Sequence, residues 1–116
     1  LKATIDSTKE WDSWPANVAP DVYVEIEIDT LTAKTSKIDN EYAPVWNEYV
    51  GKVKAGVLLN LPIKVKVLDS DTIGSQTIGA CNITVPLNVL VSGNNAVVSD
   101  CGGTDVQKIY FKFTLQ

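Results

Sequence analysis

The feature that most constrains the fold is a strict two-residue alternation of apolar and charged side chains. Val22-Tyr23-Val24-Glu25-Ile26-Glu27-Ile28 and Ile63-Lys64-Val65-Lys66-Val67-Leu68 carry aliphatic residues at every second position, with Glu or Lys at most of the positions between them. Successive side chains of an extended chain point to opposite faces, so each run makes a strand with one buried and one wetted face. Near the end, Ile109, Phe111 and Phe113 alternate with Tyr110, Lys112 and Thr114, which puts aromatics on a core face. Alternating or β-branched runs recur at about 2–7, 21–29, 31–38, 47–54, 62–68, 77–86, 95–99 and 107–115, with turn residues between them. Helical periodicity is weak throughout. The pattern predicts an all-β, eight-stranded antiparallel Greek-key β-sandwich. The 116 residues are expected to form a single domain, 1–116, long enough to bury roughly two-thirds of its unfolded surface around one core.

Two of the strand ends carry acids that could share a ligand. Asp69 and Asp71 close the run 63–68, and residues spaced two apart on an extended chain face the same way, so both carboxylates can meet one hard cation. Asp21 immediately precedes the run 22–28 and could complete the same site from another loop. Calcium is the first cofactor to consider. The alternative is that these Asp residues are turn formers, since Asp readily hydrogen-bonds nearby backbone. The longest irregular stretch, about Ser7 to Pro20, holds Trp11, Asp12 and Trp14 and leads straight to Asp21. Loops of that length within a compact domain are usually functional or ordered by a ligand.

Charge and residue choice exclude several classes. The chain carries ten Lys against fourteen acids, a net charge of −4, and contains neither Arg nor His. Lack of Arg argues against nucleic acid as a partner, because Arg supplies the bidentate phosphate and base contacts. Lack of His removes the usual general base and the commonest transition-metal ligand, so zinc and triad chemistry are not expected. With no nucleophile elbow and no Gly-rich phosphate loop, the chain reads as a non-enzyme. No apolar run approaches the roughly 20 residues needed to span a bilayer. The chain opens on Leu1 without a charged or apolar leader, so any signal peptide or neighbouring domain is expected to lie outside this sequence.

Cys81 and Cys101 are the two cysteines. A disulfide between them would close a loop of about 20 residues and stabilise by on the order of 3 kcal/mol in the chain-entropy model. Two reduced, half-buried thiols are the other reading. Asn82-Ile83-Thr84 matches an N-glycosylation acceptor inside a predicted strand.

Three segments together resemble the C2 domain, the calcium-dependent phospholipid-binding β-sandwich. Pro20-Asp21-Val22-Tyr23-Val24 is similar to the family's Asp-Pro-Tyr-Val strand start, with Val22 where Pro is usual. Pro44-Val45-Trp46-Asn47-Glu48 is similar to its Asn-Pro-x-Trp-Asn-Glu segment, with Ala43 where Asn often stands, and it is the most specific of the three. Leu61 to Asp71, followed by Ile78-Gly79, resembles the family's strand, Asp-x-Asp loop and Ile-Gly return. The resemblance covers about residues 2 to 115. The chain order resembles the permuted, type II arrangement, and the Trp-Asp loop with a Cys after Ile-Gly resembles secreted, perforin-like members. An extracellular or secreted, membrane-peripheral localisation is implied by that analogy.

The resemblance implies calcium ligands at Asp21, Asp69 and Asp71. It implies a first-loop ligand where this chain has Pro15, and the role is assigned to Asp12 in a longer loop. A fifth acid falls at Thr77, where one neutral hydroxyl would replace a carboxylate and weaken the site. The implied function is a calcium-binding module that targets its host protein to anionic or zwitterionic phospholipid membranes; the host's other domains are not in this chain. Trp11, Trp14 and Ile73 are the candidate membrane contacts, since Trp suits the interface, although a packed cap over the sandwich end would use the same residues. Lys34, Lys52, Lys54, Lys64 and Lys66 make either a basic patch for phosphoinositides or a solvated sheet face interleaved with acids. The alternative function is a secreted structural or protein-interaction β-sandwich with a calcium-rigidified or degenerate site and no membrane binding.

Overall fold

A computed structural model describes residues 2–5, 19–70, 74–88, 96–99 and 105–112. Seven strands and one short helix lie among them: β1 (Lys2–Ile5), β2 (Val22–Ile28), β3 (Leu31–Lys34), α1 (Ala55–Asn60), β4 (Ile63–Ser70), β5 (Ser75–Ile83), β6 (Ala96–Ser99) and β7 (Val106–Lys112). They form two antiparallel sheets, one ordered β1-β7-β6 and the other β3-β2-β4-β5. The expected antiparallel β-sandwich is therefore the fold.

The two-residue alternation does what it predicts. In β2 and β4 the apolar positions Val22, Val24, Ile26, Ile63, Val65 and Val67 are buried, while Glu25, Glu27, Lys64 and Lys66 face out. Ile5, Val106, Ile109 and Phe111 of the other sheet join the same apolar cluster, which the two sheets share. Asp29, in the left-handed region at φ 52°, turns the chain between β2 and β3, a conformation that Asp tolerates better than most residues.

The strand expected at 47–54 does not form. Val50 and Val53 there pack against the core cluster, and Gly51 passes so close under Leu31 that a Cβ would lie 2.8 Å from the Leu31 Cδ2. The stretch covers the sheet rather than extending it. α1, which periodicity did not reveal, comes directly after. Six residues are too few to show a 3.6-residue pattern, and the helix starts with Val57 and Leu58 amides donating to the Lys54 carbonyl at 3.0 and 3.3 Å. Leu58 anchors it in the core.

Beyond β3 the chain keeps tracking β2, with side chains standing in for the ladder. The Thr35 N–H donates to the Val24 carbonyl and the buried Thr35 Oγ1 accepts from the Val24 N–H, both at 2.9 Å. Ile38 and Val22 then exchange N–H···O bonds at 2.8 Å each. This continuation brings residues 38–41 alongside the start of β2.

Ile109 is fully buried. Its replacement by Ala should cost about 3 kcal/mol in denaturant unfolding, whereas Lys64→Ala on the outer face should stay within about 0.5 kcal/mol of the parent.

Candidate functional site

Antiparallel pairing puts the start of β2 beside the end of β4, and that end of the sheet carries the acids. Val22 stands opposite Asp69. The residue before Val22 is Asp21, whose N–H donates to Asp69 Oδ1 at 2.9 Å, and the Ser70 N–H donates to the Asp21 carbonyl at 2.8 Å. Asp69 is fully buried, its Oδ2 included, while Asp21 is half-buried. Asp21 Oδ1 accepts in turn from the Asn40 N–H at 2.9 Å, and the Pro20 carbonyl, one residue earlier, accepts from the Glu41 N–H at 2.9 Å. Asn40 lies in the left-handed region at φ 53°.

Asp21 and Asp69, 48 residues apart in sequence, are thus brought into contact. Thr77 is placed otherwise. It is the third residue of β5 and stands opposite Leu68, while Asp69 stands opposite Gln76. Consecutive strand residues face opposite ways, so Thr77 leaves the sheet on Leu68's side and Gln76 on Asp69's. A register shift between Val67 and Leu68 sets this phase, and nothing in the sequence marks it. Asp12, Asp71, Trp11, Trp14, Ile73 and Cys101 lie outside the described residues. Cys81 lies in β5, and no free cysteine occurs among the described residues.

The donor chemistry at this end suits a hard cation. Asp21 and Asp69 bring two carboxylate side chains to this end of the sheet, linked through the Asp21 amide, and the chain has no His to offer a softer ion. Among the described residues no group of three or more His, Cys, Asp or Glu assembles, so a full coordination shell would draw on residues beyond them. Sequence reasoning missed Asn40, whose part is played by its backbone amide and leaves no trace in residue type.

The C2 domain family model matches residues 1–98. This chain belongs to the C2 domain family. No curated protein matches it. Among solved structures, the chain is similar to the paired C2 domains, A and B, of Extended-Synaptotagmin 2, with a TM-score of 0.59 and 13% identity over 94% of this chain and 37% of that one. A calcium-bound form of the same two domains gives a TM-score of 0.65 and 14% identity, covering 95% of this chain and 40% of that one. A longer fragment with the SMP domain gives 0.61 and 16%, covering 95% and 24%. At these identities the likeness establishes the fold, and this chain spans less than half the length of each. The family is in general one of calcium- and membrane-binding modules, and C2 domains are typically non-catalytic.

Among the described residues a concavity lies on the outer face of the four-stranded sheet. It is a groove of about 680 Å³ lined by Glu25, Glu27, Lys34, Lys64 and Lys66 among others. Glu25 stands between Lys34 and Lys66 across the strands, and Glu27 stands opposite Lys64. Lys34 Nζ sits 4.6 Å from the centre of the Tyr23 ring, a cation–π arrangement. The lysines therefore share the groove with acids one strand away.

Asp69→Ala should remove the acceptor for the Asp21 amide and destabilise the calcium-free protein by about 1–3 kcal/mol. Asp69→Asn retains an Oδ1 and should lose less. Paired denaturant melts in chelator test the difference.

Proposed function

We propose that this chain is a calcium-binding C2 module that docks its host protein on phospholipid membranes through the end of the sandwich bearing Asp21 and Asp69. The carrying observation is that β2–β4 pairing brings Asp21 and Asp69 together at one rim, the Asp21 N–H donating to Asp69 Oδ1 at 2.9 Å. Asp71, two residues after Asp69, and Asp12, in the stretch leading to Asp21, are the further ligands we propose. Thr77 leaves the opposite side of the sheet and is left out of the set. The carboxylates repel one another when no cation is present, and the rigid sheet keeps them from moving apart. Bound calcium would supply the compensating charge and open coordination positions for lipid phosphate oxygens. Trp11, Trp14 and Ile73 are proposed as the apolar contacts that enter the interface.

No catalytic role is proposed. Among the described residues no helix is long and apolar enough to cross a membrane, and docking is proposed to be peripheral. We further propose an extracellular setting and a Cys81–Cys101 disulfide. The setting rests on the resemblance to secreted members, and the disulfide on the count of two cysteines and on Cys81 not being free.

Calorimetric titration of calcium into stripped protein tests the site. Heat that vanishes in an Asp69→Ala, Asp71→Ala double variant, with calcium-dependent sedimentation on anionic or zwitterionic liposomes, is the expected result. Thr77's orientation and the Pro15 position favour one other reading, a β-sandwich interaction module in which calcium only rigidifies the loops. Under that reading calcium raises Tm and liposomes stay unbound.

The interleaved groove gives a separate expectation. Lys64→Ala with Lys66→Ala should leave calcium-dependent liposome binding within about twofold of the parent, since exposed charges flanked by acids contribute little. A larger drop would make the groove a head-group site.

A further inference from the structure

We propose that Glu48 is a positioning residue for the Asp21 carboxylate, acting through Ser36 and the segment 36–41. The affinity part of this inference rests on the calcium reading above. Ser36 is held at its carbonyl, its amide and its hydroxyl. Its carbonyl accepts from the Trp46 Nε1–H at 2.8 Å and from the Thr35 hydroxyl at 2.9 Å. Its N–H donates to both Glu48 oxygens at 3.2 Å, and its hydroxyl donates to Glu48 Oε1. Trp46 is buried in the core cluster while Glu48 is exposed. The ring therefore fastens one side of Ser36 to the interior, and the carboxylate fastens the other from outside.

Packing accounts for Trp46 but not for an exposed Glu with both oxygens on one residue. The contacts made by residues 38–41 account for the Glu. Ile38 exchanges two bonds with Val22, the Asn40 amide reaches Asp21 Oδ1, and the Glu41 amide reaches the Pro20 carbonyl. The segment that Glu48 holds is thus the one that grips Asp21 from its side chain and from the residue before it. Fixing one oxygen of a carboxylate fixes its plane, and groups that orient a ligand without touching the ion commonly set metal affinity. The Pro-x-Trp-Asn-Glu motif, distant in sequence from every candidate ligand, acquires a task at the site by this route.

The test uses the full chain and compares wild type with Glu48→Ala and Glu48→Gln. Calcium affinity is read by calorimetry, and backbone amide exchange is read by NMR in calcium-free protein. Glu48→Ala should weaken calcium binding by about tenfold and speed exchange of the Asn40 amide, while amides of the central strand such as Val65 keep their protection. Glu48→Gln, which keeps an acceptor oxygen, should restore both. A Glu48→Ala protein with lower Tm but unchanged calcium affinity and unchanged Asn40 exchange would overturn the proposal and leave Glu48 a plain surface staple. Should wild type bind no calcium, the functional reading fails, and Asn40 exchange alone then decides whether Glu48 positions Asp21.

Discussion

The pairing of β2 with β4 is the constraint on which the rest depends. From Val22 opposite Asp69 to Glu27 opposite Lys64, six consecutive pairs put Val24 on Val67 and Ile26 on Val65 inside, and Glu25 on Lys66 outside. A strand repeats every two residues, so a slip by one would carry either Glu25 and Glu27 or Lys64 and Lys66 to the opposite face. Burying unpaired charges costs several kcal/mol each, so the register is set by what the wrong one would bury. The same register puts Asp21 against Asp69. The site's geometry is a by-product of a choice that the core has already forced.

Much of this was legible from residue order. Period-two alternation located β2, β4 and β7, and Asp at the ends of two such runs located the rim, because alternation and strand-end acids are local patterns. Segment 47–54 also looked extended. Its apolar residues instead cover an existing sheet, and whether an apolar strip joins a ladder or lies over it depends on neighbours far away in sequence. α1 was too short to show a period. Thr77 was assigned by counting from Asp69, and counting along the chain cannot register the shift between Val67 and Leu68 that decides which face a β5 residue takes. The Asn40 contact was hidden for a simpler reason: every residue but proline has an N–H.

The rim and the groove show how charge placement separates similar compositions. At the rim two acids, Asp21 and Asp69, are linked through the Asp21 amide, and Asp69 is fully buried. A buried carboxylate is costly unless its oxygens are hydrogen-bonded or bound to a cation, and the Asp21 amide supplies one such bond. On the sheet face, acids meet lysines one strand away, and their fields largely cancel in solvent. The net charge of the chain says nothing about either place.

The register shift in β5 also bears on how this chain can change in length. Between Ser70 and Ser75 the chain reverses direction, with Gly74 at φ 83°, and residues gained or lost there would alter the connection without touching the phase of the ladder. The shift leaves Ile78 as an extra residue between the Leu68–Thr77 and Val67–Gly79 pairs, whereas one residue gained or lost in the regular ladder between Gly79 and Ile83 would turn Ile83 toward water and Asn82 toward the core. Variation in length is thus absorbed at the β4–β5 connection or at the bulge, both near the rim acids, where it can reshape what the domain touches while the sandwich beneath stays the same.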